Sequence, residues 1–154
     1  MIRSILVVCR GNVCRSPVAA AMLQQRLPHC QVSSAGLTAL VGQGVEPSAR
    51  ALAESAGFDV SGHSARQLDA QHLAEADLVL VMSDEQRRMI SERWPQAIGK
   101  VMRLGYWLAQ GEGLDIPDPY RRPAEAFQRA HQLIDEACNQ WIQRLSITGS
   151  PLRG

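Results

Sequence analysis

The stretch Ile2-Arg3-Ser4-Ile5-Leu6-Val7-Val8-Cys9-Arg10-Gly11-Asn12-Val13-Cys14-Arg15-Ser16-Pro17 decides the fold. Residues 2–8 are a short, β-branched, nearly uninterrupted apolar run that stops at a glycine turn. That is the pattern of a strand buried on both faces of a parallel sheet. Ser16-Pro17 then reads as a helix start, with serine at the N-cap and proline at the first helical position. Helix formers fill residues 18–27 and stop before Pro28.

The alternation continues outward. Residues 31–34 read as a second strand, and 47–56 as a helix closed by Gly57. Residues 76–82 form another buried strand, 84–93 a polar helix and 100–104 a weaker strand. From about 123 to 145 a long helix carries Phe127, Ala130, Ile134, Ala137, Cys138, Trp141 and Leu145 on one apolar face, so Cys138 reads as packing. Strands alternating with helices predict a three-layer α/β fold, a four-stranded, mostly parallel sheet with helices on both faces. One domain spans residues 1–145, and the polar Gly- and Pro-containing segment 146–154 reads as a flexible tail.

Composition narrows the function. The 154 residues suffice for a core without disulfides or metals. Sixteen Lys+Arg against 15 Asp+Glu give a formal charge of +1, which argues against nucleic acid or an anionic membrane as partner. No apolar run approaches the roughly 20 residues of a membrane span. The N-terminal apolar stretch is too short for a signal peptide, so the expected compartment is the cytoplasm. There a disulfide framework among Cys9, Cys14, Cys30 and Cys138 is not expected, and their spacing fits no zinc site.

In open parallel sheets, ligands bind beyond the carboxyl ends of strands. The first such turn here runs from Cys9 through five residues to Arg15 and enters a helix N-terminus. A loop wound this way turns successive N–H groups toward an oxyanion, and the helix end adds partial positive charge. Arg15 can grip two oxygens with its planar fork, and the same field favours a thiolate nucleophile at Cys9. Gly11 permits the turn, while Asn12 tolerates left-handed backbone angles. Neither a Walker A lysine nor three spaced glycines accompany Gly11, so a nucleotide loop is excluded. The plainer alternative, a buried strand-end thiol and a solvated arginine, leaves the strand before and the helix start after unexplained. Asp118, between Pro117 and Pro119, is a candidate general acid, with Asp115 as a rival and a simple turn aspartate as the structural alternative.

Val7-Val8-Cys9-Arg10-Gly11-Asn12-Val13-Cys14-Arg15-Ser16-Pro17 resembles the phosphate loop of the low-molecular-weight protein tyrosine phosphatases. The resemblance extends, in the family's order, to Ser33-Ser34-Ala35-Gly36, Gly62-His63-Ser64-Ala65-Arg66-Gln67 and Asp118-Pro119-Tyr120, and covers the chain to about Leu145. Residues 36–44 and 116–121 further resemble the bacterial branch associated with exopolysaccharide and capsule export. The resemblance implies hydrolysis of phosphotyrosine through a phosphocysteine on Cys9. Arg15 and the loop from Arg10 through Gly11, Asn12, Val13 and Cys14 to Ser16 would hold the phosphate. Asp118 would act as acid and then base, and the Ser16 hydroxyl would support the thiolate. Asn12, Ser34 and His63 would hold the loop in shape. Cys14 would either pair reversibly with Cys9 under oxidation or simply fill the loop.

Tyr120 would wall the substrate ring, flanked by Leu40 and Arg121. Here the chain departs from the family's animal members, with Arg121 in place of a second tyrosine, Leu40 in place of an aromatic and Arg10 in place of leucine. Weaker stacking is therefore expected, with a basic rim of Arg10, Arg121 and Arg122 suited to acidic or multiply phosphorylated partners. His29, His72 and His131 match no motif. The resemblance implies no metal and no cofactor. Its implied partner is the phosphotyrosine-bearing tail of a bacterial tyrosine kinase, with no membrane insertion and a monomer or weak oligomer. Two other functions share parts of this pattern. Arsenate reductase of the same fold needs two further cysteines after the third strand, and residues 82–94 contain none. A non-catalytic phosphate module needs neither Cys9 nor Asp118.

Overall fold

The computed structural model describes residues 1–149. Its sheet is made of β1 (Ser4–Cys9), β2 (Gln31–Gly36), β3 (Leu78–Val81) and β4 (Val101–Arg103), in the order β2-β1-β3-β4. Every pairing is parallel. The apolar run of the opening stretch takes a central place in the sheet because it can bury both faces. Ile5, Val7 and Cys9 point into a core shared with α1 (Arg15–Arg26), α2 (Pro47–Ser55) and α5 (Ala124–Gly149). Leu6 and Val8 point into a second core under α3 (Ala70–Glu75) and α4 (Asp84–Arg93). Each such aliphatic side chain contributes about 1.5–3 kcal/mol by leaving water. Three layers result, as expected, and the sheet is wholly rather than mostly parallel.

The last register pair of β1 and β2 is Cys9 with Gly36. A Cβ at Gly36 would lie 2.8 Å from the Arg10 carbonyl oxygen, so only glycine lets β2 close against the turn that follows β1. Sequence and structure differ at several ends. α1 begins at Arg15, with Cys14 at the cap position and no side-chain cap bond. Ser16 is thus inside the first turn and is not the N-cap; its hydroxyl is committed to the Cys9 sulfur instead. The sequence pattern does not announce α3. Six residues are too few to show helical periodicity, and its signal is local, a capping box in which Asp69 accepts from the His72 N–H and His72 reaches back.

Glu46, not a Ser or Thr, caps α2 by accepting from Ser48 and Ala49. Two 3-10 segments, Pro95–Lys100 and Leu104–Trp107, frame β4. α5 is longer than expected and continues through Gly149, so residues 146–149 are helical rather than tail. Nothing in Ser146-Ile147-Thr148 breaks a helix. The rest of the expected tail, 150–154, lies outside the described residues. Trp141 fixes α5 by donating from Nε1 to the Leu104 carbonyl at 2.7 Å. No helix among the described residues is long and apolar enough to cross a membrane.

Candidate active site

The turn after β1 is shaped through its carbonyls. Leu37, Thr38 and Leu40 donate their N–H groups to the carbonyls of Cys9, Arg10 and Gly11 at 3.0, 2.9 and 3.0 Å. Glu46 N–H reaches the Val13 carbonyl at 2.8 Å, and His63 Nε2–H the Asn12 carbonyl at 2.6 Å. Each carbonyl from Cys9 through Val13 is thereby held by the surrounding framework. The N–H groups of Arg10, Gly11, Asn12, Val13 and Cys14 donate to no other group among the described residues. Successive unpartnered amides around a turn form an anion-binding nest.

Asn12 holds this winding. It is fully buried at φ 59°, a left-handed angle that asparagine tolerates. Its Nδ2 donates to Ser16 Oγ at 2.7 Å and Ser34 Oγ at 3.0 Å, and its Oδ1 accepts from the Arg66 N–H at 3.0 Å. Asn12, Ser34 and His63 therefore do converge on the loop. Arg66, from the same 62–67 stretch as His63, joins them through its main-chain N–H, a role its side chain does not signal.

The Cys9 sulfur lies 2.9 Å from Ser16 Oγ and 3.4 Å from the Ser16 N–H. Asn12 already donates to that hydroxyl, so the Ser16 proton is free to point at sulfur. Arg15 is buried, and its Nη1 donates to the Ile116 carbonyl at 2.7 Å. Its Nη2 is 3.6 Å from Asp118 Oδ2, and its buried Nε has no protein partner. The arginine thus braces the segment that carries the candidate acid while keeping a donor for the cradle. Asp118 accepts from the Tyr120 N–H at 3.1 Å, a local turn bond that fixes its carboxylate. Asp115 is occupied elsewhere, accepting from Arg103 Nη1 and the Asp84 N–H, both at 3.1 Å, and it does not line the pocket.

These groups meet in a pocket of about 200 Å³. Cys9, Arg15 and the loop form its floor, Asp118 overhangs it, and Leu40 and Tyr120 wall it with Thr38. Arg10 lines the pocket; Arg121 does not. Arg121, at φ 63°, stacks its guanidinium 5.3 Å from the Tyr120 ring centroid, so it backs the wall and is not part of it. The expected basic rim is therefore divided, since Arg122 lines a separate cleft beyond Asp118.

Burial pushes the Cys14 thiol up to about 12, with the nearby Cys9 adding to the effect. All four cysteines are free. Cys30 donates to the Ile2 carbonyl at 3.5 Å and Cys138 to the Ala19 carbonyl at 3.8 Å, and neither lines the pocket. Burial also raises both of these thiols. Of the remaining histidines, His72 caps α3, and His131 lies half-buried behind Cys14 and Arg15.

An all-parallel α/β sandwich that ends its first strand in a thiol-bearing nest, overhung by a carboxylate, is an architecture for gripping a phosphate monoester. The chain belongs to the low molecular weight phosphotyrosine protein phosphatase family, whose profile matches residues 4–149, and is a protein-tyrosine-phosphatase. It is 44% identical over 149 residues to the probable low molecular weight protein-tyrosine-phosphatase EpsP of Ralstonia nicotianae, covering 97% of this chain and 100% of that one. Among solved structures it resembles the tyrosine phosphatase Wzb of Escherichia coli K30 in complex with sulphate. That match has a TM-score of 0.90 and 39% identity over 94% of this chain and 99% of the other. Vibrio vulnificus Wzb in complex with benzylphosphonate matches with a TM-score of 0.89 and 40% identity over 94% of this chain and 100% of that one.

Proposed function

We propose that the enzyme hydrolyses phosphotyrosine in two steps through a phosphocysteine at Cys9. In the first, the Cys9 thiolate attacks phosphorus and the P–O bond to the phenol breaks, while Asp118 gives the leaving oxygen its proton. The nest amides and the Arg15 guanidinium take the equatorial oxygens, whose charge they stabilise more in the transition state than in the ground state. In the second step Asp118, now a base, removes a proton from water as it attacks the phosphocysteine. Inorganic phosphate leaves, and the Ser16 hydroxyl and N–H receive the returning thiolate. The single observation that carries this reading is the convergence of the unpartnered amides, the buried Arg15 and Asp118 on the Cys9 sulfur in one pocket.

Tyr120 and Leu40 make the walls apolar enough for an aryl ring, which favours phosphotyrosine over the shorter phosphoserine. We further infer that the physiological substrate is a tyrosine kinase governing exopolysaccharide or capsule export, in the cytoplasm. Residues 36–44 and 116–121, and relatives named EpsP and Wzb, support that assignment. The test compares wild type and Cys9→Ser on p-nitrophenyl phosphate, a phosphotyrosyl peptide and its phosphoserine counterpart. Turnover of the first two by wild type only, with phosphate still bound by the variant, is expected. Appreciable activity in Cys9→Ser refutes the nucleophile.

A further inference from the structure

The Asp118 side chain divides two depressions. On one side lies the cradle; on the other is a cleft of about 420 Å³ lined by Pro117, Pro119, Arg122, Ala126 and Arg129 together with Asp118 itself. Its frame is stiff, because two prolines fix the near wall and the first turns of α5 form the far one. Its cations are uncommitted. Among the described residues, the Arg122 and Arg129 side chains make no ion pair, hydrogen bond or ring contact. The N-terminus of α5 adds partial positive charge at the same place. Two carboxylates oppose this: Asp118, which the reaction needs protonated, and Glu125, exposed in the first turn of α5. Two unpaired guanidinium forks over a floor of proline and alanine, one side chain away from the scissile group, make a receptor for an anion carried on the same peptide.

We propose that this cleft is a second anion subsite that takes a carboxylate or phosphate side chain next to the scissile phosphotyrosine. The proposal rests on the phosphotyrosine reading above and extends it to the residues that flank the target. Extended residues advance about 3.3 Å each, so a side chain one or two positions from the phosphotyrosine spans the width of Asp118. The source of specificity then lies in Arg122 and Arg129. Arg129 stands on the helix, where it looks like an ordinary solvated residue in the sequence.

Matched phosphotyrosyl peptides carrying Glu, Gln or a second phosphotyrosine one and two positions to either side provide the test. Wild type is expected to prefer Glu over Gln about 3- to 10-fold in kcat/KM, through KM, as two exposed charge contacts allow. A second phosphate should do better, because the guanidinium forks grip it in pairs. The preference should shrink at high salt. In Arg122→Gln/Arg129→Gln the ratio should fall to near one, and in Arg122→Glu/Arg129→Glu it should invert. Whether Glu, phosphotyrosine or both give the effect identifies the anion, and each supports the subsite. Equal rates for Glu and Gln peptides and for the doubly phosphorylated one in wild type would overturn it. So would a ratio unchanged in the double variants, which would assign the reading to Arg10. The same ratios measured as Kd in a Cys9→Ser background separate the two proposals. Absent peptide hydrolysis with the Kd ratio intact counts against the catalytic reading and not against the cleft.

Discussion

Removing the Asn12 side chain should cost the enzyme both stability and rate. Asn12→Ala loses the donors to Ser16 and Ser34 and the acceptor for the Arg66 N–H, all at a site with 0% exposure. At about 1 kcal/mol per buried hydrogen bond, the loss is about 3 kcal/mol. Alanine at φ 59° adds about 1 kcal/mol of left-handed strain. The sum, about 4 kcal/mol, is a large share of the roughly 5–15 kcal/mol that holds a domain together. Asn12→Gly removes the same bonds without the strain, so it should lie about 1 kcal/mol above the alanine variant. Both variants release the Ser16 hydroxyl and the loop it supports, and a shift of about 1 Å there should lower kcat/KM about 100-fold. Urea unfolding followed by tryptophan fluorescence gives the first quantity, and p-nitrophenyl phosphate turnover the second. If Asn12→Gly unfolds and turns over within about twofold of wild type, the side-chain network is idle and only the backbone angle matters.

Asp118→Ala should lower kcat by about 10²–10⁴-fold, most for phenols that leave poorly; an unchanged kcat/KM would move the acid to another group. Iodoacetamide at neutral pH should label Cys9 and inactivate the enzyme, while Cys14, held up to about 12, stays unlabelled until the chain unfolds. Inorganic phosphate should slow that labelling, and modification of Cys14 at an equal rate would contradict the account of the pocket. His131 is held below its ordinary 6.5 by burial, with Asp135 partly opposing. The unfolded chain therefore binds the proton more readily, so stability is fully present above pH 6.5 and is lost as pH falls toward the lower folded value. His131→Gln should lose less Tm than wild type between pH 7.5 and 5.5, and parallel losses would show that burial there is inconsequential.

The parts legible in the sequence were those fixed by local rules. The apolar run at 2–8, the glycine turn and the helix after it locate Cys9 and Arg15 at the end of a buried strand, and the structure places them there. The parts that were not legible depend on groups distant in sequence. Which carbonyl is held outward is decided mainly by main-chain donors at Leu37, Thr38, Leu40 and Glu46, which have no residue signature; His63, which holds the Asn12 carbonyl with its ring, is the exception the resemblance points to. Ser-Pro is a good helix start, yet Ser16 lies inside the first turn rather than at the cap; its hydroxyl is 2.9 Å from the Cys9 sulfur, the partner the resemblance points to. Asp115 and Asp118 could not be ranked from spacing; Arg103, brought up by β4, occupies the first and leaves the second at the pocket. Arg121 stands where the family often has a second wall tyrosine, but here it has a left-handed backbone, lies against the Tyr120 ring and does not line the pocket.

The most direct test is a rapid acid quench during turnover of an aryl phosphate, followed by peptide mapping of the protein by mass spectrometry. A covalent phosphate should be found on Cys9, rising within the first turnover and accumulating further in Ser16→Ala, where the sulfur leaves less readily. A first-turnover release of phenol with no label on the protein, or a label on any other residue, would contradict the account.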